Sequence, residues 1–457
     1  MSTTAVDGLA AAIRGPVVAR GDDRYDEARA LYNAMIDRKP VAIAYCADEG
    51  DVAATIGFAR ERGLRLAVRC GGHNGAGLGS VDDGIVIDLS TMNRVTVDPA
   101  AKLVRVQGGA KLGEVDQATH QHGLAVPAGI ISTTGVGGLT LGGGIGHLTR
   151  GCGLTVDNLV AAEVVLADGS RVTADSERNS DLFWAIRGGG GNFGVVTSFS
   201  FRCHQVANVL AGPVIYDLED AADVLRWWRE FGPAQPRELG GFFAFLAVPP
   251  GPPFPEELHL RHVCAILWCY AGDEEDPASL REARAFGKPL LDGVAPMPLP
   301  VLQSAFDGVY PPGLQNYWRA DFFEEIPDDA IERHVEFGHR LPSWQSTMHL
   351  YPVDGVAAQI SNDATAWAYR DAKWAGVYFG VDPEPANADA LRSWCVEYWE
   401  AMHPYSMGGA YVNFMMDEGQ ERVQATYRGN YERLAAVKQK YDPDNFFHVN
   451  QNIRPAE

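Results

Sequence analysis

A glycine pair followed by a histidine sets the strongest limit on what this chain folds into. It lies in the run Arg69-Cys70-Gly71-Gly72-His73-Asn74-Gly75-Ala76-Gly77-Leu78. An apolar strand over residues 41–45, a helix opening near Asp48 and Glu49, and a second strand over 65–69 precede it, so the run closes a β-α-β unit. Glycines that reach positive φ let successive N–H groups converge on an anion. An imidazole inside such a turn is a reactive group held against whatever the turn binds. The turn alone is a weak signal, and its meaning comes from two later runs. One extends over 135–153 and carries Gly142, Gly143, Gly144 and Gly146; the other, over 187–194, reads Arg187-Gly188-Gly189-Gly190-Gly191-Asn192-Phe193-Gly194.

The chain of 457 residues is long enough for two or three domains. A net charge of −21 argues against wrapping nucleic acid or docking on an anionic membrane. Residues 1–15 lack a basic segment followed by an apolar one, which makes the cytoplasm the default location. The seven cysteines are scattered without a C-x-x-C pair, which favours reduced, packed thiols. His120 with His122, or His259 with His262, could pair on a metal. No carboxylate or cysteine cluster completes either set, so no metal site is expected.

Residues 38 to 201 alternate short strands and helices. Hairpins are expected at Asp98-Pro99-Ala100-Ala101 and at Asp168-Gly169, and a helix over 112–122. Beyond 207 the pattern changes to long helices (220–231, 388–402) and strands of mixed aromatic and polar residues (241–248, 263–270, 317–323, 348–351). The expected fold class is α+β: a first region of alternating short strands and helices, then a large antiparallel sheet backed by helices. The division is 1–206 (core 38–206), 207–405 and a C-terminal segment 406–457.

The 142–146 run, with Glu163 about 20 residues on, invites a nicotinamide dinucleotide reading. The order is wrong, because that fingerprint needs strand, glycines, then helix, whereas this run leads toward a hairpin. Three separated nests suit instead an extended flavin dinucleotide lying along a groove. Glycines serving only tight turns are the alternative.

These segments resemble the berberine bridge enzyme-like flavin oxidases of the vanillyl-alcohol-oxidase superfamily. The resemblance covers nearly the whole chain, extends to the bacterial branch related to 6-hydroxynicotine oxidase, and implies an FAD-binding region of two α/β subdomains over 1–206 to which the segment 406–457 returns. It rests on RCGGHNGAG, DGIVIDL, TTGVGGLTLGGGIGHLTRGCGLTVDNLVAAEVV, DLFWAIRGGGGNFGVVTSF and YDPDNFFHVNQNIRP. It implies FAD bonded through its 8α-methyl to His73. Many members add a cysteinyl bond, but Ile131 stands where that thiol would be, so attachment through His73 alone is expected. Cys152 falls where the family usually has an aromatic residue and is read as a packed thiol. The cofactor shell implied is Arg69, Cys70, Gly71, Gly72, Asn74, Gly75, Gly77 and Leu78; then Thr134, Gly135, Val136, Gly137, Gly138, Gly142, Gly144 and Gly146. Gly153, Leu154, Asp157, Asn158, Asn192, Gly194, Val195, Val196, Asn450, Gln451 and Asn452 complete it. Val136, before a glycine pair, is the position tied in the family to oxygen access, and valine there goes with oxidases.

The base is where the chain departs from the family. A Tyr-x-Asn-Tyr strand reads here Tyr411-Val412-Asn413-Phe414, and a family glutamate matches Gln359. Either Tyr411, Tyr351 or His349 takes the proton, with Asn413 beside it, or the substrate is an amine that needs none removed. A phenol with pKa near 10 needs help to act as a base at neutral pH. In 317–321, period 2 puts Tyr317, Arg319 and Asp321 on one face and Trp318 on the other. The expected function is hydride transfer from a C–H beside O or N of a small organic substrate, with O2 reduced to hydrogen peroxide. Sugar or oligosaccharide oxidation, oxidation of an alkaloid-like amine, a flavin binder without turnover, and a nicotinamide dehydrogenase are the competing readings.

Overall fold

In the computed structural model, which describes residues 4–457, the β-α-β unit forms as expected. Ala42–Tyr45 and Leu66–Arg69 both run parallel to Ile85–Asp88, which lies between them; Val17–Ala19 adds an antiparallel edge. Every residue of Ile85–Asp88 is buried, as a parallel strand covered on both faces requires. The crossover helix is Glu49–Glu61. Asp48 caps it, its carboxylate accepting the N–H groups of Gly50 at 2.7 Å and Asp51 at 3.1 Å. Val52, Ile56 and Ala59 recur at helical spacing and pack on the sheet.

A second sheet is antiparallel throughout, in the order Val95–Asp98, Leu103–Gln107, Val195–Arg202, Leu159–Val165, Arg171–Asp175. Both expected hairpins form, the second turning at Gly169 with φ of 82°. Its central strand is the last in sequence. The 187–194 glycine run that feeds this strand is therefore drawn to the middle of the molecule.

The third sheet has eight antiparallel strands drawn from residues 208 to 382. Its main path runs Leu291–Asp292, Asn208–Asp217, His262–Tyr270, Leu239–Ala247, Thr347–Pro352, Trp374–Asp382, Gln315–Phe323. Helices Ala221–Ala234, Asp328–Gly338 and Ala388–Met402 cover one face, burying Trp228, Ile331 and Tyr398 against Phe243, Met348 and Tyr378. The other face carries Phe242, Trp318, Phe322, Tyr351 and Val377 into the core shared with the second sheet. Strand alternation thus divides the 317–321 segment. Arg319 turns to the helix side, its guanidinium 5.3 Å from the Trp399 ring, and Trp318 turns inward. Among the described residues no helix is long and apolar enough to cross a membrane.

Helix Leu112–His120 packs against the short helix Leu299–Gln303 and buries a carboxyl there. Asp116 receives one long hydrogen bond, from Gln303 Nε2 at 3.4 Å, and burial pushes its pKa up to about 7. A carboxyl whose folded pKa lies above its unfolded value stabilises fully below the unfolded pKa. That stability is lost as pH rises from about 4 through about 7. Asp116→Asn is expected to stabilise the fold by about 2 kcal/mol at pH 8 and to flatten that slope. Thermal melts of both proteins from pH 5 to 8 test this, and parallel curves would sink it.

Candidate functional site

One continuous cavity joins the loops of the first two sheets to the inner face of the third. His73 stands at its junction, in the loop leaving Leu66–Arg69. Its ring stacks on Tyr32, with centroids 3.9 Å apart, and both ring nitrogens meet hydroxyls. Thr133 Oγ1 lies 3.1 Å from Nε2 and Thr134 Oγ1 3.4 Å from Nδ1. Burial, and then the nearby Lys111 charge, lower the His73 pKa to about 4, so the imidazole is neutral and keeps a nucleophilic lone pair.

The turn around His73 is glycine because three segments of the chain crowd together there, 70–75, 133–135 and the strand carrying Trp318. A Cβ on Gly71 would lie 2.5 Å from the Gly135 nitrogen, and one on Gly135 would lie 2.4 Å from Cys70 Sγ. The third sheet closes over the same loop, Trp318 lying where a Gly75 side chain would go. Asn33 fastens that closure, its Nδ2 donating to the carbonyls of Gly75 and Asn316, each at 2.8 Å. Arg69 lines the cavity, yet its charge is spent on buried Asp88 at 2.6 Å and on the Ala28 carbonyl. It is a positioning residue for the strand end, not a free cation for a diphosphate.

Of the expected cofactor shell, Arg69, Cys70, Gly71, Gly72, Asn74, Leu78, Thr134, Gly135, Gly137, Gly138, Asn192, Gly194, Val195, Val196, Asn450 and Gln451 line the cavity with His73. The others do not. Gly75 and Gly77 admit Trp318 and Ile36, and Gly142 admits Asn413. Gly144 and Gly146 pass against Thr155 and the Ala128 carbonyl, and Gly153 against Asp157. Val136 is packed in the core of the second sheet, away from the cavity wall that Thr134 and Gly135 form. Leu154 is core. Asp157 forms a buried pair with Arg370, and Asn158 holds the Cys152 and Leu154 carbonyls. Asn452 lies off the wall, its carbonyl accepting from Gln420. Ile131 lines the cavity, and Cys152 packs with Leu148, Val206 and Cys269.

Among the catalytic candidates, Gln359 is misplaced by the sequence reading. It ends a 3-10 turn, Ala357–Gln359, beyond the end of the strand at Pro352, and is itself exposed although Val353 and Ala357 before it are buried. The Tyr411–Phe414 segment is likewise a 3-10 turn, Val412–Phe414, in place of a strand. That turn brings Tyr411, Asn413 and Phe414 onto the same wall. Tyr411 Oη accepts the N–H of Gly144 at 2.8 Å and the Asn413 amide at 2.7 Å. Burial nevertheless outweighs both donors and pushes the phenol up to about 12. His349 and Tyr351 alternate on Thr347–Pro352 and both line the cavity, with Nδ1 and Oη 2.6 Å apart. The sequence reading missed Tyr32, Thr133, Tyr310 and Phe379. Only Thr133 had a nearby signal, its neighbour Thr134; Tyr32, Tyr310 and Phe379 reach the site through long-range packing.

An FAD fits these residues. A Cβ on Gly138 or Gly191 would meet no protein atom within 4 Å, so the wall is bare where a flat or extended group would lie. Asn450 spends its amide on the Gly191 and Phe447 carbonyls, and its buried Oδ1 has no protein donor among the described residues. That oxygen is placed for an N–H of a bound group.

Comparison with known proteins agrees. An FAD binding domain family matches residues 40–175, and the family of berberine and berberine-like proteins matches 410–454. The FAD-linked oxidoreductase YgaK of Bacillus subtilis (strain 168) is 32% identical over 450 residues, covering 97% of each chain. The crystal structure of 6-hydroxy-D-nicotine oxidase from Arthrobacter nicotinovorans superposes with a TM-score of 0.86 at 25% identity, covering 97% of this chain and 98% of that one. Xylooligosaccharide oxidase from Myceliophthora thermophila C1, solved with xylobiose, gives 0.85 at 25% identity, covering 99% of each. The cavity, its glycine walls and the fold around them are those of an FAD-linked oxidoreductase, and the chain belongs to the berberine bridge enzyme-like family.

Proposed function

We propose that this enzyme is an oxidase carrying FAD bonded to His73 alone, acting on a small molecule that presents an uncharged hydroxyl on the carbon to be oxidised. The observation that carries the substrate class is the chemistry of the cavity wall. Among the described residues it holds no aspartate, glutamate or lysine, and the one arginine, Arg69, is paired with Asp88. Burial drives His349 down to about 3 and Tyr351 well above its ordinary value, so both are neutral at physiological pH. An ammonium or carboxylate entering here would lose its hydration with no counter-ion, a cost of several kcal/mol. A hydroxyl costs far less and finds partners on the Thr347–Pro352 strand.

The cofactor supplies a two-electron hydride acceptor that dioxygen can reoxidise, giving hydrogen peroxide. The chain's own residues do the rest. Tyr32 and the two threonines fix the His73 ring, and burial keeps its lone pair free for the linkage. The loop over 190–196 and the segment 449–451 form one wall; Trp318, Phe379 and Tyr351 form the other and exclude water from the face of a ring laid between them.

Hydrogen-peroxide release by the yellow purified protein across a panel of sugars, alcohols and amines tests the reading. Turnover is expected with uncharged alcohols or sugars, and with amines only as pH approaches the amine pKa. Equal turnover of a permanently charged quaternary ammonium alcohol would overturn the uncharged-substrate reading. Flavin that no donor reduces would instead identify a binder without turnover.

A further inference from the structure

Phe414 stands where many relatives place a tyrosine base, and two phenols flank it: Tyr411, 4.8 Å away between ring centroids, whose oxygen is taken up by the Gly144 N–H and the Asn413 amide, and Tyr351, which comes from another element. The Tyr351 ring centroid is 5.9 Å from that of Phe414. Its hydroxyl is hydrogen-bonded to His349 Nδ1 two residues earlier on the same inward face of the sheet. Three phenylalanines clasp the pair. Phe242 packs against both rings at 4.8 and 4.9 Å, Phe379 against His349 at 5.6 Å, and Phe414 closes the Tyr351 side. The pair is therefore held in one arrangement, and among the described residues each member's side-chain hydrogen-bond partner is the other, with the Tyr310 phenol as a further titratable neighbour of Tyr351.

We infer that His349 and Tyr351 act as one proton-accepting dyad for the substrate hydroxyl, replacing the base that Phe414 lacks. This rests on the oxidase reading above. A phenolate is unavailable, since burial holds the Tyr351 proton tightly. The resting dyad is therefore a neutral phenol donating to a neutral imidazole. The substrate O–H bond breaks toward Tyr351 Oη while the Tyr351 proton moves to His349 Nδ1, so tyrosine stays a phenol throughout. The adjacent C–H bond breaks with its electron pair leaving as hydride to the flavin, and C=O forms. The proton leaves His349 when dioxygen, taking two electrons and two protons in all, becomes hydrogen peroxide. A lone imidazolium is costly in this apolar clasp. The proton is thus accepted only as compensating negative charge appears in the same cavity, which couples its transfer to hydride departure.

The direct test needs no turnover. A nitrophenol bound to the oxidised holoenzyme is an acidic stand-in for the substrate hydroxyl, and its ionisation is read by difference absorbance. In the wild type its phenolate band is expected to persist at least one pH unit below the pH at which the free phenol protonates. In His349→Gln, which can accept a hydrogen bond but not a proton, the ligand is expected to bind neutral. A band that follows the free phenol in both proteins overturns the dyad.

Turnover supplies the second arm. His349→Gln and Tyr351→Phe are each expected to slow flavin bleaching by an alcohol about 10²–10⁴-fold at pH 7. The double variant should be no slower than either alone, as for groups that act as one unit. The residual rate of His349→Gln should climb with hydroxide, whereas the wild-type rate is expected to stay flat from about pH 6 to about pH 9. A flat, undiminished rate in His349→Gln refutes the dyad and leaves the oxidase reading standing. Bleaching by no alcohol in the wild type refutes the oxidase reading itself.

Discussion

Precipitated with acid, the wild-type polypeptide is expected to come down yellow, while His73→Ala leaves its pigment in the supernatant. The effect is all or none because a covalent bond survives unfolding and every other cofactor contact in this cavity depends on the fold. The expectation is specific to His73. Its imidazole faces the cavity, is held flat against Tyr32 between two threonine hydroxyls, and is kept unprotonated by burial. Cys70 is the alternative nucleophile on the same wall. Burial pushes its thiol up to about 11, and its Sγ is turned to the Ala110 carbonyl at 3.4 Å. It is therefore a thiol where a linkage would need a thiolate. Peptide mapping of the yellow wild-type precipitate separates the two: flavin on the His73 peptide alone is expected. Flavin on a peptide containing Cys152 would contradict the packing of that residue among Leu148, Val206 and Cys269. Pigment retained by His73→Ala would move the linkage elsewhere.

The residues legible in the sequence were those whose reason for being there is local. The capping aspartate at 48, the Asp168-Gly169 turn and the β-α-β unit need only neighbouring residues, and all form. The glycine runs were legible as a group but not one by one. Gly71 and Gly142 look alike in sequence, yet one faces the cavity and the other makes room for Asn413, which is 271 positions away (413 − 142). Asp157 and Asn158 went astray for the same reason, since the partner that commits Asp157 is Arg370, 213 residues on. Gln359 failed differently. Matching it to a strand position assumed that the strand continued, whereas the strand ends at Pro352 and Gln359 is exposed in the loop beyond it. His349 and Tyr351 both reach the cavity because alternation on a strand places residues two apart on one face whatever the long-range topology.

Replacing Lys438 by methionine is expected to destabilise the protein by about 3–5 kcal/mol and to weaken its hold on the flavin, though neither Lys438 nor its partner touches the cavity. The side chains of Lys438 and Asp442 are 0% exposed, and Nζ lies 2.6 Å from the carboxylate. The ammonium spends its other two protons on the carbonyls of Asn192 at 2.7 Å and Phe447 at 3.0 Å. Asp442 in turn accepts the N–H groups of Phe446 and Phe447, each at 2.8 Å. One buried pair thus ties the last segment of the chain to the 187–194 glycine run, and both border the cofactor cavity. Asn192 doubles the tie, donating to the Gln451 carbonyl at 3.1 Å and accepting from the Ile453 N–H at 2.9 Å. Methionine fills much of the volume of lysine but leaves a carboxylate buried without its cation, and that uncompensated charge is the source of the loss. Removing both charges separates this cause from mere misfit. Lys438→Met with Asp442→Leu abolishes the ionic penalty yet still lacks donors for Asn192 and Phe447. It should therefore recover stability in denaturant unfolding while flavin release, followed in a His73→Ala background by fluorescence, stays fast. A double variant that restored cofactor retention as well would show that the pair matters only for stability. A Lys438→Met protein within about 1 kcal/mol of wild type would show that the tie bears no strain at all.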